Sequence, residues 1–490
     1  MPVSKNWQVV AGSTAAGLAV ALTAVALAGP WESGQRTAER VRAASREGKP
    51  GERASAGQPP GKAAGGRKGA AVPVPAPEVL AAAAGTRGAV PPGGGGLAGR
   101  LAPLLKDRAL GPLTTGAVVD AATGEGVWGR RETAAAVPAS TTKIATAVAA
   151  LSLLGPDHRL TTGVVADGDD RVVLVGGGDP TLTARKTAGG GYTAASLRTL
   201  ADGTASALKA RGTRTVRLSY DTSLYSGPAL HPIGHNDNIA PVDALMADEG
   251  RVDGKSWKGP AARVWDPAAK AATAFAGMLR DRGVKVTGTV DRRSAPKGSA
   301  ADRLAVVRSA PLSDLVERML TNSDNDIAEA LARHTALAAG LPGSFGGGAQ
   351  GISSALRELG IPLKGARFTD GSGLNRADRL TADQLARLLV LAGDPEYPEL
   401  RPTLTGLPVA HFTGSLKERF TAGDADGGMG VIRAKTGTLT GVNTLAGTVV
   451  NADGRLVAFA FLTNGTTSPA SAQRALDRLA SAVARCGCHG

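Results

Sequence analysis

The stretch VPASTTKIATA (residues 137–147) decides the fold and the chemistry of this chain. From Thr141 to Leu154 the sequence is rich in Ala, Val and Leu and contains no Gly or Pro, which predicts a buried helix. Positions three apart share one helix face, so the Ser140 hydroxyl and the Lys143 amine can meet. A lysine whose pKa is lowered by burial or by another cation can take the proton of a serine. The stretch therefore predicts a nucleophile beside its base.

Two polar triplets follow the serine along the chain. The SDN triplet at 323–325 lies between two helical patterns, at 312–320 and 327–338, which predicts a loop held at both ends that presents its side chains to a cleft. Ser, Asp and Asn also cap helices well, so the triplet is expected to cap the second helix too. The KTG triplet at 435–437 falls near the end of a strand pattern at 431–438.

The interval between the serine helix and the SDN triplet is long enough to hold a separate domain. Ser140 and Ser323 are 183 positions apart. Patterns within the interval predict strands at 171–175, 213–219 and 284–290 and a helix at 267–282. We therefore expect an inserted, β-rich domain at residues 161–295 and one further domain formed by residues 97–160 and 296–490.

Secondary-structure patterns outside the interval complete the second of these domains. Leucines at spacings of three and four predict a helix from Leu97. The remaining patterns predict a hairpin at 116–128, strands at 443–450 and 456–462, a helix from Thr381 and a closing helix at 470–483.

The N-terminal part differs in composition from the rest of the chain. Residues 9–28 form a run of 20 mostly apolar residues that ends in a small-residue cleavage pattern. Residues 1–29 are thus either a cleaved signal peptide or an uncleaved membrane anchor. Residues 30–96, rich in Gly, Pro and Ala, are predicted to be a disordered linker. We expect an exported, extracytoplasmic protein that is secreted or anchored in the cell membrane.

The positive charge of the chain does not indicate a nucleic-acid partner. Residues 1–100 hold 12 Lys and Arg against 5 Asp and Glu, which is half of the net charge of +14. This excess of basic residues lies in a segment expected beside a membrane, and it fits contact with anionic lipid or anionic wall polymer. Aromatic residues make up only 3% of the chain, and no recognition helix is evident.

The sequence predicts no metal and no cofactor. The two cysteines, Cys486 and Cys488, lie with His489 at the C-terminus, where three ligands within four residues make a poor metal site. The glycine-rich turn at 176–180 lacks the GK[ST] that a phosphate-binding loop requires.

The chain carries SxxK, SxN and KTG motifs in this order, with a large insert between the first two, and this arrangement resembles that of a known family. It is that of the serine D-alanyl-D-alanine carboxypeptidases/endopeptidases, the low-molecular-mass class C penicillin-binding proteins. Longer stretches that support the resemblance, which covers residues 97–490, are LVGGGDPTL (174–182), DTSLYSGP (221–228), APVDALMADEGRVDG (240–254) and FTDGSGLNR (368–376).

The resemblance implies an α/β (α+β) fold like that of β-lactamases and transpeptidases. In this fold an antiparallel sheet is flanked by helices, an all-helical subdomain completes the domain, and here a β-rich domain is inserted between the SxxK and SxN motifs. The expected partners are peptidoglycan peptides and β-lactam antibiotics.

The resemblance also assigns roles to residues of the three motifs. Ser140 attacks the D-Ala-D-Ala peptide bond, Lys143 is the base for acylation, and Ser323 relays a proton to the leaving amine. The backbone N–H groups of Ser140 and Thr438 form the oxyanion hole. The substrate-binding residues that it implies are Asn325 for the peptide backbone and Lys435, Thr436, Gly437 and Thr438 for the terminal carboxylate.

Two alternatives to a carboxypeptidase remain at this point. A β-lactamase shares the three motifs, but its commonest class needs a glutamate to activate water, and no ExxLN pattern lies between Asn325 and Lys435. A non-catalytic protein that binds wall polymer or senses β-lactams would be favoured by loss of Ser140, Lys143 or Lys435, and all three are present. The sequence leaves open the balance between carboxypeptidase and endopeptidase action.

Overall fold

A computed structural model describes residues 94–487, apart from residues 188, 297, 299–301 and 422. The predictions for residues 1–29 and for residues 30–93 therefore lie outside the described residues, as do Cys488 and His489. Residues 94–96, which were predicted to belong to the linker, lie in helix α1, so the linker ends earlier than expected. Among the described residues, no helix combines the length and the hydrophobicity needed to cross a bilayer.

Helices and strands follow one another along the whole described chain. The helices are α1 Gly94–Leu104, α2 Thr142–Leu154, α3 Leu197–Ala210, α4 Pro267–Asp281, α5 Leu312–Asn322, α6 Asn325–Ala338, α7 Phe345–Glu358, α8 Ala382–Gly393, α9 Pro402–Thr405 and α10 Pro469–Ala484. The strands are β1 Leu113–Asp120, β2 Gly126–Arg130, β3 Thr161–Ala166, β4 Arg171–Val175, β5 Thr215–Asp221, β6 Lys285–Arg292, β7 Arg303–Arg308, β8 Ile432–Leu439, β9 Val442–Val450 and β10 Leu456–Asn464.

The first sheet has the strand order β2-β1-β10-β9-β8, and all of its neighbours are antiparallel. Strand β1, from the start of the domain, pairs with β10, from its end, so that Leu113 lies opposite Asn464. Helix α8 packs on one face of this sheet, while α1 and α10 pack on the other. Because both faces are covered, β9 and β10 are buried along almost their whole length.

A helical layer lies beside the first sheet and contains the serine helix. Helix α2 packs against α5, α6, α7 and α8, and its residues from Thr142 to Leu151 are all buried. A helix buried all round needs small side chains where neighbours approach, which explains the many alanines of α2.

The second sheet has the order β6-β5-β4-β3-β7, with parallel pairs among β4, β5 and β6 and antiparallel pairs around β3. Helices α3 and α4 pack against it. Its first strand begins at Thr161, but its last strand, β7, ends at Arg308. The predicted end of the inserted domain at residue 295 is therefore too early, because the chain returns to pair with β3 before it reaches α5.

Candidate active site

Ser140 lies on a tight turn that comes directly before α2. The turn Ala139–Thr141 is a single 3₁₀ turn, and Ala139 has a φ of 48°, a left-handed conformation that is uncommon for alanine. Two neighbouring segments can approach this turn closely because each has a glycine at the point of contact. A Cβ on Gly373 would lie 1.9 Å from the Ala139 carbonyl oxygen, and one on Gly437 would lie 3.1 Å from the Ser140 nitrogen.

Lys143 is fully buried and is held by three hydrogen-bond acceptors. Its Nζ lies 3.1 Å from Ser140 Oγ, 2.6 Å from Asn325 Oδ1 and 2.7 Å from the carbonyl oxygen of Ser372. Burial lowers the pKa of Lys143 to about 8, against the opposing effect of the carboxylates of Asp370 and Glu329. Of the two expected causes, burial is the larger one for Lys143.

The Ser372 carbonyl belongs to a turn that is fixed by two buried carboxylates. Glu329 accepts hydrogen bonds from the backbone N–H groups of Gly371, at 3.1 Å, and Ser372, at 2.8 Å. Asp370 accepts from the N–H of Gly373, at 2.7 Å. These contacts hold the Ser372 carbonyl oxygen where it meets Lys143.

His231 supports the same turn from the inserted part of the chain. Its Nδ1 accepts from the N–H of Ile233 at 3.3 Å, so Nε2 carries the proton and donates to Asp370 Oδ2 at 3.0 Å. Burial opposes ionisation of Asp370, but the hydrogen bond from His231 lowers the pKa of this carboxyl to about 2.

The first two residues of the SDN triplet, Ser323 and Asp324, form the break between α5 and α6, and Asn325 is the first residue of α6. Ser323 has a φ of 58° and ends α5, while the Asp324 carboxylate accepts from the Ile327 N–H at 3.1 Å and so caps α6. The expected capping role is thereby confirmed. Asn325 Nδ2 donates to the carbonyl oxygen of Asn238 at 3.0 Å, which leaves its Oδ1 facing Lys143.

Strand β8 carries the KTG triplet along the edge of the first sheet. Lys435 is fully buried, and its Nζ donates to Ser323 Oγ at 2.9 Å and to the Thr436 carbonyl at 2.8 Å. Burial, together with the charge of Lys143, holds the pKa of Lys435 well below its usual value. Gly437 is required here, because a Cβ would lie 2.1 Å from Thr444 Oγ1.

A cleft of about 230 Å³ opens over these groups. Its lining includes Ser140, Ser323, Asn325, Thr436 and Thr438, and the buried amines of both lysines reach it through the two serines. The structure therefore brings all eight predicted site residues together. The inserted part of the chain forms another wall of the cleft with Asn238, Arg251, Gly259, Pro260 and Arg263.

Several groups that position the site were missed by the sequence argument. Two of them are backbone carbonyls, those of Ser372 and Asn238, and no side-chain motif marks a carbonyl. The stretch FTDGSGLNR (368–376) contains Ser372, and its two glycines are the signal that could have indicated a backbone packed close to the nucleophile.

Two groups of side chains could be considered as metal ligands among the described residues. They are His231 with Glu329 and Asp370, and Glu249 with Asp324 and Asp326. The first group hydrogen-bonds to backbone N–H groups and within itself, and the second pairs with buried arginines. Both groups thus have internal partners for their charges, and the expectation of no metal stays a prediction.

A lysine-activated serine on a sheet-and-helix scaffold, with SxN and KTG groups facing it, defines a serine hydrolase of the penicillin-recognising class. The profile of the D-Ala-D-Ala carboxypeptidase 3 (S13) family matches residues 97–261 and 253–485. The chain belongs to this family. The predicted family and the predicted enzyme class, a serine-type D-Ala-D-Ala carboxypeptidase, are confirmed.

Curated relatives match most of the chain. A carboxypeptidase of Mycobacterium tuberculosis is 37% identical over 439 residues, covering 86% of this chain and 92% of its own. The carboxypeptidase DacB of Mycolicibacterium smegmatis is 39% identical over 404 residues, covering 80% of this chain and 85% of its own.

A solved structure confirms the predicted fold class. Penicillin-binding protein 4 (dacB) of Haemophilus influenzae superposes with a TM-score of 0.63 at 22% identity, covering 77% of this chain and 98% of its own. The same protein complexed with a β-lactam superposes with a TM-score of 0.60.

Proposed function

We propose that the protein releases the terminal D-alanine from peptidoglycan stem peptides through an acyl-enzyme on Ser140. One observation carries the assignment of roles. When Lys143 is neutral, its two N–H groups have two acceptors, Asn325 Oδ1 and the Ser372 carbonyl, so its lone pair is left to face Ser140 Oγ. The amine is thereby oriented as a base for the serine.

Acylation follows from this arrangement. The Ser140 oxygen bonds to the carbonyl carbon of the D-Ala-D-Ala peptide, and its proton passes to Lys143. Ser323 Oγ accepts a hydrogen bond from Lys435, so its own O–H can donate a proton to the leaving amine while the Lys435 ammonium replaces that proton. The C–N bond breaks, D-alanine departs, and water later hydrolyses the ester.

The KTG strand supplies the groups that recognise the substrate. A free carboxylate entering beside Lys435 favours the ammonium form and so opposes the lowering of the Lys435 pKa by burial. Thr436 and Thr438 face the same cleft. A substrate that ends in a carboxylate is therefore preferred over one that is extended at this end.

The neighbouring activities of the family fit the same site. We extend the proposal to endopeptidase action on cross-linked peptides and to acylation by β-lactams, which the β-lactam complex of the Haemophilus influenzae relative supports. The apolar run at residues 9–28 supports export, with the enzyme secreted or anchored at the cell membrane. The basic residues that follow it support contact with anionic lipid or wall polymer.

The test uses two substrates and one variant. Purified protein is incubated with a stem pentapeptide and with a cross-linked peptide dimer, and released D-alanine and monomer are measured. Ser140→Ala is expected to abolish both products and covalent labelling by penicillin while the thermal unfolding midpoint is retained. Full labelling of this variant would show that another residue is the nucleophile.

A further inference from the structure

The SDN triplet is held from outside by a segment of the inserted part of the chain, residues 238–263, here called the clamp segment. The carbonyl of Asn238 accepts from Asn325 Nδ2 at 3.0 Å. Two residues on, the Ala240 N–H donates to Asp326 Oδ1 at 2.9 Å. At the other end of the clamp segment, Arg263 Nη2 lies 3.1 Å from Asp326 Oδ2.

The contact with Asn238 decides which way the Asn325 amide points. An amide presents donors at one end and an acceptor at the other, and its partners fix the choice. Because Nδ2 donates to the Asn238 carbonyl, Oδ1 faces the Lys143 amine at 2.6 Å. A rotated amide would place N–H donors against Lys143 and would remove one of its acceptors.

The clamp segment is anchored by buried charge on both sides of its contact with the triplet. The side chains of Arg263 and Asp326 are 1% and 2% exposed. Arg263 Nη1 also donates to the Glu249 carbonyl at 2.7 Å, and the Glu249 carboxylate pairs with Arg251 and with Arg318 of α5. A buried ion pair with further hydrogen bonds has one well-defined geometry, so it suits a positioning role.

We propose that Asp326 and Arg263 are positioning residues for catalysis, which act by docking the clamp segment on the SDN triplet and so orient Asn325 toward Lys143. The proposal rests on the proposed function, since it concerns the same serine and lysine. It makes the inserted part of the chain a component of the catalytic apparatus.

The charge of Asp326 and its positioning role predict opposite effects on acylation. The carboxylates that face Lys143 are those of Asp370, Glu329, Asp324 and Asp326, and each of these raises its pKa, while the amine of Lys435 also lies nearby. Removal of the Asp326 charge alone would therefore lower the pKa of Lys143, increase the fraction of neutral lysine at pH 7 and speed acylation. Loss of positioning would slow it.

The experiment measures the rate constant of acylation by labelled penicillin on the full chain. The burst amplitude counts folded, competent sites, so the rate constant is independent of any loss of folded protein. Asp326→Ala is expected to acylate about 10²-fold more slowly at pH 7, the effect of a misplacement of about 1 Å. Asp326→Asn keeps an oxygen for the Ala240 N–H and is expected to fall between Asp326→Ala and the unmodified protein.

A matched control separates positioning from the loss of any buried ion pair. Asp120 is 1% exposed, pairs with Arg455 at 2.7 Å and is the last residue of β1. Asp120→Asn is expected to lower the unfolding midpoint and to leave the acylation rate constant unchanged.

The outcomes are distinguishable from failure of the proposed function. An unchanged or increased rate constant in Asp326→Ala, with the unmodified protein fully labelled at Ser140, would overturn the positioning role alone. Should Asp326→Ala yield no folded protein, Arg263→Gln is measured in its place, with the same slower acylation expected and the same result overturning the proposal. Failure of the unmodified protein to label would instead refute the assignment of the nucleophile.

Discussion

As the proposed base for Ser140, Lys143 must lose a proton before it can accept one, so we expect its pKa to set the pH dependence of acylation. With a pKa of about 8, the neutral fraction rises with pH and levels off above this value. We expect the acylation rate constant to rise about tenfold from pH 6 to pH 7 and to reach a plateau near pH 9. Labelling kinetics at a series of pH values would measure this.

The variant Lys143→Arg gives the matching control, because arginine keeps the positive charge and stays protonated. It is expected to acylate at least about 10²-fold more slowly at every pH. A rate that is flat between pH 6 and pH 9 in the unmodified protein would show that Lys143 is not the titrating base.

The role proposed for Lys435, a charged contact to the substrate carboxylate, predicts that its loss reduces both substrate turnover and acylation. We expect Lys435→Ala to lower D-alanine release from a stem pentapeptide by about 10²-fold or more, because a buried charge-assisted hydrogen bond to an anion is lost. Lys417→Ala, which removes an exposed lysine of the same domain, is expected to change neither measurement. Activity of Lys435→Ala within a few-fold of the unmodified protein would assign Lys435 another role.

At the scale of the elements, the packing of β8 against the serine turn is the sensitive contact. A Cβ at position 437 would lie 2.8 Å from the Pro138 carbonyl as well as 2.1 Å from Thr444 Oγ1. Gly437→Ala should therefore push β8 away from Ser140 and slow acylation by about 10²-fold. Gly126→Ala, in strand β2, meets nothing within 4 Å and serves as the control. Equal acylation rates in the two variants would argue against close packing at Gly437.

The sequence predicted most elements that have a strong pattern, and the failures have physical causes. Strand β4 was predicted at its observed bounds, and α2 within one residue. Helix α7 was missed because it opens with glycines, which are poor helix formers. These glycines permit close helix packing, since a Cβ on Gly348 would lie 3.1 Å from Ala332 and one on Gly351 would lie 3.1 Å from Ala336. Tertiary contact therefore overrides local propensity here.

The site shows a similar division between side chains and backbone. Among the described residues, the motifs named every side chain that hydrogen-bonds to the amines of Lys143 and Lys435, because chemistry restricts the residue types at those positions. The carbonyls of Ser372 and Asn238 could not be predicted, because any residue supplies a carbonyl and only the fold decides where it points. The role of the inserted part in fixing Asn325 was likewise invisible, because it depends on contacts between residues far apart in sequence.

At the scale of the whole molecule, the fate of the acyl-enzyme separates a peptidase from a β-lactamase. The acidic residues that line the described cleft, Asp324 and Asp326, are both engaged, the first as the cap of α6 and the second with Arg263. A penicilloyl ester on Ser140 therefore has no carboxylate placed to activate water among the described lining residues. Loss of such a general base typically costs ~10²-fold to 10⁴-fold in rate.

We accordingly expect a stoichiometric burst of penicillin consumption followed by little turnover, alongside steady D-alanine release from a stem pentapeptide. The measurement follows penicillin hydrolysis with the antibiotic in excess over the protein. Rapid, sustained hydrolysis without D-alanine release would favour the β-lactamase alternative.

The pairing of β1 with β10 has a consequence for the order in which the parts of the active site fold during synthesis. Ser140 and Lys143 are made early, but the sheet beside them closes only when the last strand arrives, and Pro138 meets its partner Thr444 only then. Contacts so distant in sequence form late, because closing a long loop is entropically unfavourable. A nascent chain therefore carries the serine and the lysine without the strands that complete the sheet beside them, and we expect Ser140 to become reactive only once synthesis is almost complete.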